Sequence, residues 1–221
     1  MNGCRFLVAV VCICQLPIAA QESESASRTL TVVTLGDSIT KGVRSGVTDK
    51  ETFAALTQSM LRKAGLNCQV VNVGIGGERT DQALKRLNDI IKLRPRLVTV
   101  MYGTNDSYVD QGQADSRITI QEYRDNLEQI VRRLLIEGIE PVLMTEPRWA
   151  LDAAPNGVAE HPNVRLERYV NACREVARRL DVPLVDHFAH WTKAESENQT
   201  LRKWTTDGCH PNPAGHRQLA S

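Results

Sequence analysis

The stretch Val33–Lys41, "VTLGDSITK", is where an apolar run stops at a glycine and a polar segment begins. The residues leading into it, "TLTVVTL" (29–35), are β-branched or apolar throughout. A run of that kind, without polar alternation, reads as a strand buried on both faces, as in parallel sheets. Gly36, Asp37 and Ser38 then admit two readings. All three are ordinary turn or helix-cap residues. A serine held out at the carboxyl end of a central strand is also a nucleophile well placed to react. The tripeptide alone does not choose between them.

Outward from this stretch, strands and helical segments alternate. "TFAALTQSMLRKAG" (52–65) carries Phe53, Leu56, Met60 and Ala64 at helical spacing, and Gly65 stops it. Cys68–Val73 is a second strand, followed by the glycine-rich "GIGGERT" (74–80). Thr80 caps a helix with Leu84, Leu87 and Ile91 on one face, which Arg94-Pro95 ends. Leu97–Tyr102 is a third strand and runs into "GTND" (103–106). Thr119 and Glu122 form a capping-box signature for a helix whose stripe is Tyr123, Leu127, Ile130, Leu134 and Leu135, stopped by Gly138. Pro141–Thr145 is a fourth strand, Leu166, Val170, Cys173, Ala177 and Leu180 mark a further helix, and Pro183–Asp186 is a fifth strand. The alternation predicts an α/β fold: a three-layer α/β/α sandwich around a five-stranded parallel sheet.

A chain of 221 residues suits one domain with a sizeable core. Its first twenty residues, "MNGCRFLVAVVCICQLPIAA", read as a secretory signal peptide: Arg5 supplies the positive start, Phe6–Cys14 the short apolar run, and Pro17–Ala20 the approach to small residues. Cleavage is expected after Ala20. A retained anchor is the alternative, and a lipid-attachment site at Cys12 or Cys14 lacks the small residues that should precede it. Residues 21–28, "QESESASR", read as a flexible leader, and 29–221 as the folded domain. The protein is therefore expected to be secreted or periplasmic, with no stable membrane insertion after cleavage. Arg5 is the only charged residue of the leading segment, so the formal charge of +1 falls to zero without it. No basic stripe is present, which argues against a nucleic-acid partner. Cys68, Cys173 and Cys209 remain; an odd number permits at most one disulfide within the chain, and their spacing suits no zinc knuckle.

Ligands of open α/β sheets bind outside the carboxyl ends of the strands. Gly36–Ser38, Gly74–Thr80 and Gly103–Asp106 all fall at such ends, and "TDGCHPNPAGH" (206–216) follows the last strand. Serine catalysis needs a hydroxyl within reach of an imidazole that a third group orients. Asp207 and His210 are three residues apart across Gly208, a spacing that can bring the carboxylate to one ring nitrogen and leave the other facing Ser38. Negative charge developing on a carbonyl oxygen needs donors. Gly76 or Gly77 permits close backbone approach there, and the Asn105 side chain can donate from the neighbouring strand end.

Together, "GDSIT", "NVGIGGERT", "GTND" and "DGCHP" resemble, in order, the four blocks of the GDSL or SGNH hydrolases, over nearly the whole chain after the leader. The resemblance implies Ser38 as nucleophile, His210 as base and Asp207 as the group orienting it. It implies an oxyanion hole from Ser38, Gly77 and Asn105; Gly77 is preferred to Gly76 because the family glycine precedes an acidic or polar residue and a threonine, as in "GERT". It further implies a flavodoxin-like sheet order, no metal and no cofactor.

Other signals are weaker. His187 and His190 in "DHFAHW" (186–191) have the spacing to share a metal, but no third ligand stands near, and they read as a packed pair. Cys209, beside His210, is expected to point away from the imidazole's partner. Tyr108, Arg148 and Trp149 lie just beyond strand ends and are candidates for substrate binding. The polar loops Asn105–Arg117 and Lys193–Lys203, with aromatics at only 5%, lack the apolar rim expected of a lipase. The expected activity is that of an exported serine esterase working through an acyl-serine on short-chain, acetyl-type esters of small molecules or glycans. Lysophospholipid or thioester hydrolysis and acyl transfer would use the same residues. A carbohydrate-binding protein that keeps the fold without turnover is the non-enzymatic alternative.

Overall fold

The computed structural model describes residues 29–197 and 200–221. The expected signal peptide and leader lie outside these. Five parallel strands form the sheet: β1 (Leu30–Gly36), β2 (Cys68–Asn72), β3 (Leu97–Met101), β4 (Glu140–Met144) and β5 (Leu184–Val185), in the order β2-β1-β3-β4-β5. This is the flavodoxin-like order, in which the chain steps from β1 out to β2 and crosses back to β3. The crevice at that reversal opens between the carboxyl ends of β1 and β3, where Gly36 pairs with Met101. It is the place where the backbone diverges and leaves room for a ligand.

Helices cover both faces. Val33, Leu35, Val98, Val100 and Leu143 look towards α3 (Thr80–Lys92), α5 (Ile120–Ile136) and α6 (Pro162–Leu180). Met101 and Met144, the next residues along their strands, join an opposite cluster with Ile39, Phe53, Trp191 and Leu219. Ile39, Phe53 and Trp191 belong in turn to α1 (Ser38–Lys41), α2 (Phe53–Lys63) and α7 (His187–Ser196), and Leu219 to α8 (Pro213–Ala220). Successive strand residues point to opposite faces, so the sheet is buried on both sides and its strands need no polar alternation. The expected three layers are present.

Several local expectations differ in detail. Arg79, not Thr80, is the N-cap of α3, because the Thr80 hydroxyl is engaged by Asp106 at 2.5 Å. Ala83, Leu87 and Ile90 carry the buried face of that helix, with Leu84 and Ile91 at its margin. In α5 the capping box of Thr119 and Glu122 forms, but Val131 takes the place expected for Leu135, which is 45% exposed. Turning 100° per residue from Ile130, the stripe runs through 131 and 134 and leaves 135 at its edge. Strand β5 is shorter than expected because Asp186 turns out of the sheet to cap α7 at Ala189 and to pair with Arg174. "GTND" begins a single helical turn, α4 (Thr104–Ser107). Cys68, Cys173 and Cys209 are all free and buried.

Gly36 shows why the strand must end as it does. A Cβ there would lie 2.1 Å from Thr40 Oγ1 and 2.6 Å from the Met101 carbonyl oxygen of β3. Neither can retreat without moving α1 or opening the β1–β3 ladder. Gly36→Ala is therefore expected to destabilise the protein by about 3 kcal/mol, the upper part of the usual overpacking range. Urea unfolding measures it; an unchanged midpoint would mean that α1 is not held against the strand.

Candidate active site

The Gly36-Asp37-Ser38 turn caps a helix and at the same time holds Ser38 at the strand end. Asp37 is the N-cap of α1, its Oδ1 accepting the Ile39 amide at 2.8 Å. That bond starts a helical turn directly at the strand end and sets Ser38 as its first residue, half-buried at the crevice. Ser38 Oγ lies 3.0 Å from His210 Nε2. On the far side of the ring, His210 Nδ1 lies 2.8 Å from Asp207 Oδ2. The carboxylate is itself fixed: Oδ1 accepts the amides of Cys209 at 3.0 Å and His210 at 2.8 Å, and Arg44 Nη2 donates to Oδ2 at 2.9 Å.

Burial by itself would raise the Asp207 carboxyl, but the amides of His210 and Cys209 and the imidazole outweigh it and hold it at about 2. An ionised carboxylate only accepts hydrogen bonds, so the proton on this face of the ring belongs to Nδ1 and Nε2 is left to accept from Ser38. Gly208, at φ +90°, supplies the left-handed turn that brings Asp207 back under the ring.

Asn105 sits on α4, across the crevice. Its Nδ2 donates to Asp37 Oδ2 at 2.8 Å and, more weakly, towards the Glu78 carbonyl at 3.3 Å. Its Oδ1 accepts from Arg117 at 3.2 Å. Gly76 and Gly77 are both exposed in the turn after β2, and only Gly77 has a positive φ, +76°. Buried Glu78, next along, anchors this turn: Arg86 donates to both its oxygens at 2.6 Å and Tyr102 donates at 2.5 Å. The described residues offer no protein acceptor for the amide of Ser38 or of Gly77.

Three buried acids lie behind the Ser38 turn. Burial, with Asp106 close by, pushes Asp37 up to about 7. Asp106 is pushed to about 6 by burial, against the donors of Thr80. Glu146 is raised well above the carboxylate range by burial and by the charges of Asp37 and Asp106. The Glu146 side chain is buried against Asp37, the two carboxyls sharing a hydrogen bond.

A model of the GDSL-like lipase/acylhydrolase family matches residues 34–218, most of the chain and all four polar loops. The chain belongs to that family. Members and relatives are carboxylic ester hydrolases, and this GDSL hydrolase is one of them. It is 29% identical over 186 residues to the uncharacterized lipoprotein YqeF of Bacillus subtilis, covering 76% of this chain and 75% of that one. It is 28% identical to the rat isoamyl acetate-hydrolyzing esterase 1 homolog, over 74% of this chain and 69% of the relative. The lipase/acylhydrolase structure from Enterococcus faecalis superposes with a TM-score of 0.73 at 26% identity, over 87% of this chain and 92% of that one.

In this GDSL hydrolase an open pocket of about 280 Å³ lies at Ser38 and His210. Asn105, Tyr108, Trp149 and Arg117 line it, and Tyr108 and Trp149 stack with centroids 6.3 Å apart at 23°. Arg148 is directed elsewhere: it forms an ion pair with Glu195 at 3.2 Å and lies 5.9 Å from the Phe188 ring. Of the three candidates beyond strand ends, Tyr108 and Trp149 line the pocket and Arg148 does not. Cys209 is buried against the pocket, and burial keeps its thiol well above the usual range. His187 is buried, which lowers its imidazole to about 4, and among the described residues no group of three metal-ligating side chains occurs.

Arg44, Arg117, Glu78 and Glu146 are absent from the residues the sequence singles out. Arg44 meets Asp207 across 163 positions, a pairing with no local signature. Glu146 had one: it follows β4 as the three marked clusters follow theirs.

Proposed function

We propose that the chain is an exported serine esterase acting on short-chain, acetyl-type esters of small polar carriers such as carbohydrates. The observation that carries the proposal is the continuous relay Ser38 Oγ–His210 Nε2 at 3.0 Å and His210 Nδ1–Asp207 at 2.8 Å, beside an open pocket. Ser38 Oγ attacks the ester carbonyl carbon while its proton passes to His210 Nε2; Asp207 stabilises the imidazolium. The carbonyl electrons move onto oxygen, which takes the amides of Ser38 and Gly77 and an N–H of Asn105. The N–H directed at Glu78 is the one more readily given up to substrate, since its 3.3 Å bond is the weaker of the two. As the carbon–oxygen bond to the leaving alcohol breaks, His210 returns the proton to that oxygen. Water then gives a proton to His210 as its oxygen bonds to the acyl carbon; the bond from that carbon to Ser38 Oγ breaks, His210 returns the proton to Oγ, and the acid leaves.

The short-acyl preference is supported by the pocket's openness and by its one aromatic wall, Tyr108 on Trp149, which suits a sugar face better than an alkyl chain. The rat relative is named for hydrolysing isoamyl acetate, itself an acetyl ester. Export is supported by residues 1–20 and by the lipoprotein name of the Bacillus relative. Among the described residues no helix is long and apolar enough to cross a membrane.

Labelling with a fluorophosphonate, followed by mass spectrometry of the Ser38 peptide and a rate series from acetyl to long-chain esters, tests both parts. Labelling at Ser38 with rates falling along the series is expected. Rates rising with chain length would turn the reading to a lysophospholipase or thioesterase, and a folded protein that takes no label would favour the binding-protein alternative. Asn105→Ala is expected to lower kcat by about 10²–10³-fold with little change in KM, the usual effect of losing one oxyanion donor. Steady-state kinetics with an acetyl ester decides; an unchanged kcat would remove Asn105 from the site.

A further inference from the structure

We propose that Arg117 is a positioning residue of the oxyanion hole, holding the Asn105 carboxamide with its N–H side towards the ester carbonyl. This rests on Asn105 being an oxyanion donor, as proposed above. Asn105 is an amide whose two ends differ only in donor and acceptor character, so its neighbours alone decide which end faces the substrate. Arg117 Nη1 donates to Asn105 Oδ1 at 3.2 Å. A guanidinium has no acceptor and does not deprotonate, so only the oxygen of the amide can face it.

Asp37, at the other end of the amide, lacks that certainty. Pushed up to about 7 by burial, it is divided near neutrality between a carboxylate, which accepts from Nδ2, and an acid, which can donate to a flipped Oδ1. Of the acids facing it, Asp106 contributes to that rise, while the hydrogen bond from Glu146 works against it. A permanent cation on the far side removes the ambiguity. Arg117 also draws electron density through Oδ1, which makes the Asn105 N–H a stronger donor to a developing oxyanion.

The arginine is itself held for this task. Asp110 takes Nε at 2.8 Å and Nη2 at 2.6 Å, leaving Nη1 for Asn105. Its guanidinium lies 5.0 Å over the Tyr108 ring. The backbone pairs as well, Arg117 N–H to the Tyr108 carbonyl at 3.0 Å and Ile118 N–H to that of Asp106 at 3.1 Å. The two arms of the loop after α4 are thereby fastened together. With Asp110 neutralising it, Arg117 serves Asn105 better than it would serve a free anion from solution.

A double-mutant cycle on 4-nitrophenyl acetate, with thermal unfolding of every variant, tests the assignment. Arg117→Met should lower kcat about tenfold or somewhat more, less than loss of Asn105 itself, with KM within about twofold. Arg117→Lys, which keeps a cation but not the fork on Asp110, should recover part of the loss. In an Asn105→Ala background, Arg117→Met should change kcat less than about twofold, because nothing is left to orient. Equal losses in both backgrounds, a loss confined to KM, or no loss in Arg117→Met would overturn the role. Should the methionine variant not fold, Arg117→Lys in the two backgrounds reads the same coupling. An unaltered kcat in Asn105→Ala alone, with Ser38 still labelled, would instead mark failure of the oxyanion assignment, and the Arg117 role would fall with it.

Discussion

Ser38→Ala is expected to leave a folded protein whose kcat for an acetyl ester has dropped by about 10⁶-fold. The hydroxyl makes its hydrogen bond to His210 and lies at the pocket, half-buried, so its loss opens no cavity in either core cluster. Stability should therefore change by less than about 0.5 kcal/mol. In the proposed mechanism the rate effect is large because the remaining groups have nothing to activate: His210 and Asp207 act on the serine proton, and the oxyanion donors act on the intermediate that serine attack creates. What survives, about 10³–10⁴ over water, comes from those donors and from binding.

A His210→Ala change added to Ser38→Ala should cost almost nothing more, since the two act as one unit. Cys209 is the nearest rival nucleophile, but burial keeps its thiol protonated. A kcat above about a hundredth of the parent's in purified Ser38→Ala would place the nucleophile elsewhere, and peptide mapping of the fluorophosphonate adduct would then locate it.

The sheet was legible because its strands are short apolar runs bounded by glycine, asparagine or proline, and because helices of regular period separate them. The convergence of the candidate site residues was legible for a related reason: parallel strands end at one edge, so polar residues just beyond each end meet without any long-range information. What stayed hidden was the support. Arg44 reaches Asp207 across 163 positions and Arg86 reaches Glu78 from within α3, and no local pattern announces either contact. Arg117 lay in a loop that reads only as polar. Arg148 shows the converse: placed just beyond a strand end like a pocket residue, it found a partner in Glu195 and turned away. Thr80 likewise has the character of a cap, yet a tertiary acceptor, Asp106, claimed its hydroxyl. Proximity to a strand end selects the loop; the direction of each side chain is decided by partners distant in sequence.

Asp207→Asn should lower kcat by about 10⁴-fold while leaving KM and the fold close to those of the parent. The asparagine can sit in two ways. With its oxygen at the Oδ1 position, it still accepts the amides of Cys209 and His210, and its NH₂ faces His210 Nδ1 and Arg44. With the opposite orientation, two backbone amides face an NH₂ and lose their acceptor. The first arrangement forfeits only the Arg44 bond, because the imidazole can answer by moving its proton from Nδ1 to Nε2. That shift is the damage: an Nε2–H points at Ser38 Oγ, and the ring can no longer take the serine proton. The stability change carries a separate signature. Asp207 titrates lower in the folded protein than in the unfolded chain, where a carboxyl has an ordinary value, so its charge stabilises the fold above about pH 4 and that contribution is lost as pH falls towards 2. With two-fifths of the side chain exposed, screening reduces it to about 1 kcal/mol. The parent should thus exceed the variant in stability at pH 7 and converge on it in acid, which urea unfolding at several pH values reads directly. A variant retaining more than about a tenth of kcat would mean that the backbone around His210, and not Asp207, sets the tautomer.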